Sequence, residues 1–272
     1  MQSKLFKTEK PLIGMIHCKA FPGSPLYVKS SWPQVIKNTI SEANALIKGG
    51  VDGIMLENAG DIPFNREEEL GPETAALMAV LVNEVRARTE LPLGVNIVAN
   101  AAMFSLATAV AGSANFIRVN QWVNAYISNE GLTNGLAGPV MRYRKLIDGE
   151  GIAVLADVHV KHGSHSIVGD RSISDQAKDA AFYCADILVA SGTSTGVATN
   201  LDELRKIRNA TELPVFIGSG LSIENAEMLV PNCDGAIVGF GIKKYPTWTS
   251  DIDIKKVLAL KQIFNKHLGK SK

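Results

Sequence analysis

The stretch GIAVLADVHVKHGSHS, residues 151–166, is apolar through Ala156 and then turns ionisable, with an aspartate, a lysine and three of the chain's five histidines between Asp157 and His165. A strand alternates its side chains between two faces, so Asp157, His159 and Lys161 are expected on one face and Val154, Ala156, Val158 and Val160 on the other. The apolar face reads as buried. The ionisable face then points either at a chemical site or at water, and the fold decides which.

Working outward, short apolar β-branched runs recur along the whole chain, each followed by a helix-like segment: LIGMIH, VDGIMLE, LPLGVNIV, NFIRVN, GIAVLADVHV, ADILVAS, LPVFIGS and DGAIVGF. Such alternation implies parallel strands joined by crossover helices, and eight units without a linker imply a single closed (β/α)8 barrel, the α/β class, over residues 1–272. A helix over 33–48 opens at Pro33 and stops at Gly49-Gly50. A second, over 73–90, carries Leu77, Val80, Leu81 and Val85 on its apolar face. An open doubly wound sheet is the competing layout, but it usually has fewer strands, and no large insertion or second composition zone interrupts the pattern.

In such a barrel function gathers at the carboxyl ends of the strands. His17, Glu57, Asn96, Arg118, Asn120, Asp157, His159 and Lys161 all fall at or near the ends of the first five runs. Parity agrees: Ile54 and Leu56, Val95 and Ile97, and Ile117 and Val119 take the opposite, helix-facing side.

Composition narrows the partners. The 28 basic and 27 acidic side chains leave no excess of positive charge to attract nucleic acid or an anionic membrane. The three cysteines, Cys18, Cys184 and Cys233, are odd in number and follow no metal spacing, as suits a reducing compartment, and Cys184 and Cys233 read as core residues. No apolar run approaches the ~18 residues of a membrane span, and the beginning lacks a signal-peptide core. The expected protein is cytoplasmic and homo-oligomeric, and no motif calls for a cofactor or a metal.

The last three runs end in small residues: SGTSTG at 191–196, with Gly192 and Thr193, then Gly218-Ser219-Gly220, and Gly239 in GFG. Loops after the seventh and eighth strands of this barrel often bind phosphate through bare backbone N–H groups, and Ser222 is placed to cap a helix from about Ile223. The glycines also fit simple tight turns.

The DVHVKH end suits three chemistries: a Schiff base on Lys161, proton transfer by Asp157 and His159, or a metal held with Glu57. Lys161 stands where a second zinc histidine would be expected two residues after His159, which counts against the metal. A structural Asp157 pair bracing the barrel top fits as well. Arg118 can grip an anion or pair with Glu57 or Asp157. Glu57 is a candidate base, and Asp61 reads as a turn residue. The proline-rich segment after His17 suits a roof over the mouth, and KQIFNKHLGKSK reads as a solvated helix and tail.

GMIH with PGSP, DGIMLEN followed by GDIPF, GVNIVAN, FIRVN, ADVHVKH, PVFIGSG and DGAIVG together resemble the BtpA/SgcQ family, over almost the whole chain and in order. That family is similar to phosphate-binding barrels such as phosphoribosylanthranilate isomerase. One of its branches is associated with photosystem I biogenesis and others with sugar uptake. The resemblance implies roles for His17, Glu57, Asn96, Arg118, Asn120, Asp157, His159, Lys161, Gly218, Gly220 and Gly239. The chain departs from the family pattern at Cys18-Lys19-Ala20-Phe21 and at Phe240-Gly241.

The expected activity is isomerase or aldolase-type lyase chemistry on a small phosphorylated sugar-like metabolite. The alternative is an assembly factor whose polar mouth is vestigial or regulatory. Within the enzyme reading, Asp157 is expected to hold Lys161 as an ammonium and raise its pKa unless desolvation or a neighbouring Arg118 outweighs it, so that Lys161 serves as a point charge and Asp157 or His159 moves the proton.

Overall fold

The computed structural model describes residues 5–192 and 199–269. Eight parallel strands close into a barrel: β1 (Leu12–His17), β2 (Gly53–Glu57), β3 (Leu93–Asn96), β4 (Phe116–Val119), β7 (Ala153–Val158), β9 (Ile187–Ala190), β10 (Val215–Ile217) and β11 (Gly235–Val238). They coincide with the eight apolar runs. Alternation does the rest. Ile13, Met15, Met55, Phe116, Leu155, Val189, Phe216 and Ile237 fill the interior, while Leu56, Val95, Ile117 and Val154 pack outward beneath the helices.

The bottom of the interior is built from rings and glycines. A Cβ on Gly94 would lie 2.0 Å from the Phe116 ring, and one on Gly235 would lie 2.7 Å from Phe216. Phe6, from the segment before β1, plugs this layer with its ring 5.8 Å from Phe116 and 6.1 Å from Phe216. At the same end a polar residue just before every second barrel strand hydrogen-bonds the N–H of the strand before it. Asp52 accepts from Leu12, Asn115 from Leu93, Asp186 from Val154 and Asp234 from Val215, at 2.8–3.0 Å. The VDG, ANF, ADI and CDG stretches therefore rivet the strands in pairs where their backbone ladders begin.

Four details differ from the sequence reading. The helix expected over 73–90 runs Pro72–Arg86, burying Met78, Leu81, Val82 and Val85 while Val80 is exposed. The helix stops four residues early, and Arg86 reaches forward past its end to donate to the carbonyls of Thr89 and Leu91. Cys184 is exposed, with a left-handed backbone after the helix Ile173–Phe182, and is not a core residue. The final helix, Ile254–Lys266, buries Ile263 and Phe264 and is more than a solvated tail.

The fourth difference lies at the mouth. Two short strands after β4, β5 (Ala125–Ser128) and β6 (Gly131–Asn134), form an antiparallel hairpin, and β8 (Gly163–Ser164) from the HGSHS stretch adds to its other edge. This insertion is small but functional in position, because it ties the segment after β4 to the segment after β7. Among the described residues no helix is long and apolar enough to cross a membrane.

Replacing Gly94 with alanine drives a methyl into the Phe116 ring, and Gly94→Ala is expected to lower unfolding free energy by about 1–3 kcal/mol. Gly138→Ala, whose nearest neighbour is a flexible arginine tip at 3.5 Å, is expected to be neutral or to stabilise by up to about 1 kcal/mol. Urea denaturation of the two variants beside the parent chain measures the contrast.

Candidate functional site

The polar residues at the strand ends converge as the barrel rule requires. His17 pairs in register with Glu57, and Glu57 with Asn96, so three neighbouring strands present these side chains on one rung of the wall. Asn96 Nδ2 donates to Glu57 Oε2 at 2.8 Å and fixes the orientation of the carboxylate. Across the mouth, Arg118 of β4 grips Asp157 of β7 through Nε and one terminal nitrogen, each at 2.9 Å. Both side chains are buried, and Asn120 Nδ2 adds a longer contact to Asp157 at 3.4 Å. The structure thus selects Asp157 as the partner of Arg118.

The strand that ends in DVHVKH departs from the parity reading at His159. Regular strand stops at Val158, and His159 takes a left-handed backbone with φ of +60°. Its ring swings out of the mouth and its Nδ1 lies 2.8 Å from Glu203 Oε1, at the first turn of the helix Leu201–Ala210. His159 therefore does not share a face with Asp157 and Lys161. The left-handed residue resets the direction of the chain and turns Lys161 inward over the mouth, where Nζ donates to Ser219 Oγ at 3.1 Å. His162, also left-handed, joins the same wall, a placement that strict alternation from Asp157 misses.

These groups border a cavity of about 440 Å³ at the carboxyl ends of the barrel strands. His17, Glu57, Arg118, Asn120, Lys161 and the 218–220 loop line its polar side, and Ile62, Phe64, Tyr126, Phe240 and Trp248 its apolar side. Ionisable groups and glycine loops do share one mouth. Asp157 lies behind Arg118 and does not reach the cavity wall. The roof is not the segment after β1, which supplies no residue to the cavity wall. There Phe21 is buried edge-on against Trp32 at 5.7 Å, and its N–H donates to Asp61 Oδ1 at 2.7 Å. The hairpin closes the mouth instead, through Tyr126. The Tyr126 ring stacks on His165 at 5.0 Å and His165 packs on His159 at 4.1 Å, so two of the three histidines buttress the roof.

The glycines divide by cause. A Cβ on Gly218 would meet Val189 at 2.3 Å, and one on Gly239 would meet His17 Cε1 at 2.5 Å, so close packing of the wall excludes a side chain at both. Gly220 and Gly192 have φ of +69°, which glycine adopts without strain. After Gly220, Ser222 starts the helix Ile223–Leu229 as expected, its N–H bonded to Asn225 Oδ1 at 2.9 Å. Thr193 lies outside the described residues.

Electrostatics separates the ionisable groups. Burial drives the His17 pKa down to about 3, with repulsion from Lys243, Lys161 and Arg118 adding to it, so the ring is neutral at physiological pH. Lys161 is brought down from 10.5 to about 8, first by burial and then by the Arg118 cation, against the opposing pull of Glu57 and Asp157. This reverses the expectation of a raised lysine. Asp157 is spent on Arg118, and among the described residues Lys161 has no carboxylate within ion-pairing distance. Two buried polar atoms of the residues that line the cavity, His17 Nδ1 and Asn120 Oδ1, have no hydrogen-bond partner among the described residues. One buried pair outside the cavity has no signal in the sequence: Lys243, wholly buried, meets Glu42 at 2.5 Å and contributes to the field at His17. Among the described residues no three His, Cys, Asp or Glu side chains are grouped as metal ligands.

Comparison with known proteins places this arrangement. The model of the BtpA family matches residues 8–266. An uncharacterized protein of Archaeoglobus fulgidus is 40% identical over 236 residues, 87% of this chain and 92% of its own length. The photosystem I biogenesis protein BtpA of Synechocystis is 34% identical over 256 residues, 93% of this chain and 88% of its own. Among solved structures, (S)-3-O-geranylgeranylglyceryl phosphate synthase of Thermoplasma acidophilum, in complex with sn-glycerol-1-phosphate, superposes with a TM-score of 0.62 at 14% identity, covering 97% of this chain and 96% of its own, a likeness of fold. The matched span takes in every barrel strand together with the hairpin and the DVHVKH turn that shape the mouth, and the chain belongs to the BtpA family.

Proposed function

We propose that this barrel is an enzyme acting on a small phosphorylated sugar-like metabolite by isomerase or aldolase-type lyase chemistry, with the phosphate held by the loops after β10 and β11. The observation that carries this reading is the placement of Lys161. Its amine lies inside a ligand-sized cavity, bonded to Ser219 of the glycine loop, and the same cavity holds a carboxylate, Glu57, that Asn96 keeps in place. A cavity rich in apolar surface with a few convergent polar groups and a perturbed lysine is what small-molecule chemistry requires.

In this reading the backbone N–H groups of Ser219, Gly220 and Gly239 are offered to the phosphate, while His17 Nδ1 and Asn120 Oδ1 gain their missing partners from the substrate. Glu57 moves the proton. Arg118 and Asp157 form the rigid floor, and His159 acts at a distance by holding the roof. Gly192 follows β9, and Thr193 lies outside the described residues.

A second reading, an assembly factor, draws on the name of the Synechocystis relative and on exposed apolar side chains in segments that follow barrel strands, among them Val28, Leu132, Ile167 and Tyr245. A thermal-shift screen of phosphorylated metabolites distinguishes the two. A ligand at about a hundred times its dissociation constant adds roughly 2.7 kcal/mol, and at least one phosphorylated sugar-like compound is expected to raise the melting temperature. If every phosphate compound fails while the chain captures a partner protein, the assembly reading prevails.

The lysine also leaves a stability signature. A lysine whose folded pKa lies below its unfolded value penalises the folded state most when charged. The penalty is full below pH 8 and is relieved as pH rises from about 8 to 10.5. Lys161→Met is therefore expected to stabilise the free protein at pH 7 by on the order of 2–3 kcal/mol, with the gain shrinking toward pH 10. Melting temperatures of the two proteins across pH 6.5–10 measure it, and a gain that does not shrink with pH would contradict the assigned depression.

A further inference from the structure

We infer that Lys161 is a covalent catalytic residue, the nucleophile that joins the substrate's carbonyl carbon as an imine, so that the substrate class narrows to phosphorylated aldehydes and ketones. This rests on the reading of the cavity as a phosphate-metabolite site and adds to it a bond that the site makes.

Three features of the geometry carry it. Nζ is held inside the mouth by one neutral acceptor, Ser219 Oγ at 3.1 Å, and by no carboxylate among the described residues, so its lone pair is not committed to an ion pair. The carboxylate that would otherwise fix it as an ammonium, Asp157, is locked bidentately on Arg118, which leaves a guanidinium beside the amine. An oriented carboxylate, Glu57, shares the cavity and can carry protons to and from the bound carbon skeleton. The charged and titratable groups facing Lys161 are Arg118 from β4, Glu57 from β2, Asp157 from β7, His17 from β1 and its neighbour His162. Burial and Arg118 outweigh the two carboxylates and favour the free amine.

The chemistry balances without any further reagent. The neutral Nζ attacks the carbonyl carbon, the C=O π pair moves to oxygen, and a proton passing from nitrogen to that oxygen gives a carbinolamine. The hydroxyl leaves as water with a proton from the acid form of Glu57, leaving a protonated imine. The Glu57 carboxylate then takes a proton from the adjacent carbon in an isomerisation, or from the β-hydroxyl in a retro-aldol cleavage. The released electron pair flows into the C=N⁺ bond to give an enamine. Reprotonation at carbon and addition of water return the amine and the product.

Pyridoxal 5′-phosphate, an aldehyde that carries a phosphate, tests this on the intact protein and stands in for the substrate in both of its reactive features. The protein is treated with the reagent, reduced with borohydride and mapped by peptide mass spectrometry. At pH 7.5 a lysine with a pKa near 8 has a free-amine fraction about two hundredfold above that of an exposed lysine. A single dominant pyridoxyl label on Lys161 is expected, rising with pH through a midpoint near 8, suppressed by inorganic phosphate and absent from Lys161→Met. Equal labelling of Lys161 by pyridoxal and by pyridoxal 5′-phosphate, with no protection by phosphate, would keep the nucleophile and remove the phosphate site. Labels scattered over surface lysines while Lys161 stays unmodified, in a protein that inorganic phosphate does stabilise, would keep the phosphate site and overturn the nucleophile.

Discussion

The chemistry at the mouth of this barrel depends on the bidentate ion pair between Arg118 and Asp157. Both charges are withdrawn from water, and such burial is tolerated only where geometry is good and the remaining lone pairs are used. Here two parallel N–H···O bonds at 2.9 Å and the Asn120 amide provide that geometry. The pair bridges neighbouring strands β4 and β7, so the rigid ladder of the barrel holds it. Its electrical effect is larger than its mechanical one. With Asp157 committed, the strongest single charge acting on the amine in the cavity is a cation, Arg118.

The short segment after Asp157 distributes its ionisable residues by backbone geometry. The left-handed turn at His159 ends the strand, sends that ring to Glu203 and frees the following residues from the alternation that governs β7. Lys161 and His162 then reach the cavity, and Gly163-Ser164 pair with the hairpin. His165 stacks beneath Tyr126, and its Nε2 contacts the Val160 carbonyl at 2.7 Å, so the roof is braced by the same dozen residues that deliver the amine. Roof and reactive group are in this sense one construction, and a change at either histidine reaches the cavity through Tyr126.

The barrel is legible in the sequence because its signal is periodic and repeated eight times: apolar runs and inward polar ends both obey a period of two, and both hold wherever the strand is regular. Parity places His17, Glu57, Asn96, Arg118 and Asp157 correctly for that reason. It misplaces His159 because one residue in a left-handed conformation ends the periodicity, and nothing in the letters HVKH requires it. The direction of the Lys161 pKa comes out reversed because sequence distance to Asp157 does not reveal that Arg118, 39 residues away, claims the carboxylate first. The hairpin leaves a readable trace in AYISNEGLTN, a polar turn with Gly131 between two short runs, although the runs are too short to stand out against the barrel strands. The Phe6 plug leaves none, since its partners are the Phe116 and Phe216 rings on distant strands, for which Gly94 and Gly235 make room.

The same electrostatics restricts how a substrate can lie in the cavity. An anion seated directly on Nζ would favour the ammonium and raise its pKa, opposing the nucleophile that the imine requires. A phosphate and a reactive carbonyl therefore cannot both be served by Lys161. Under the imine proposal the phosphate falls to the backbone of the loops after β10 and β11, and the carbonyl extends from there toward the amine and Glu57. Ser219 sits between the two demands. Its backbone belongs to the glycine loop and its hydroxyl to Lys161, so it sets the separation between phosphate and carbonyl that the site accepts. A substrate whose phosphate and carbonyl are too close together brings its anion onto the amine, and one in which they are too far apart places its carbonyl beyond it. Under that proposal the loop geometry at 218–220 sets a requirement on chain length as well as on charge.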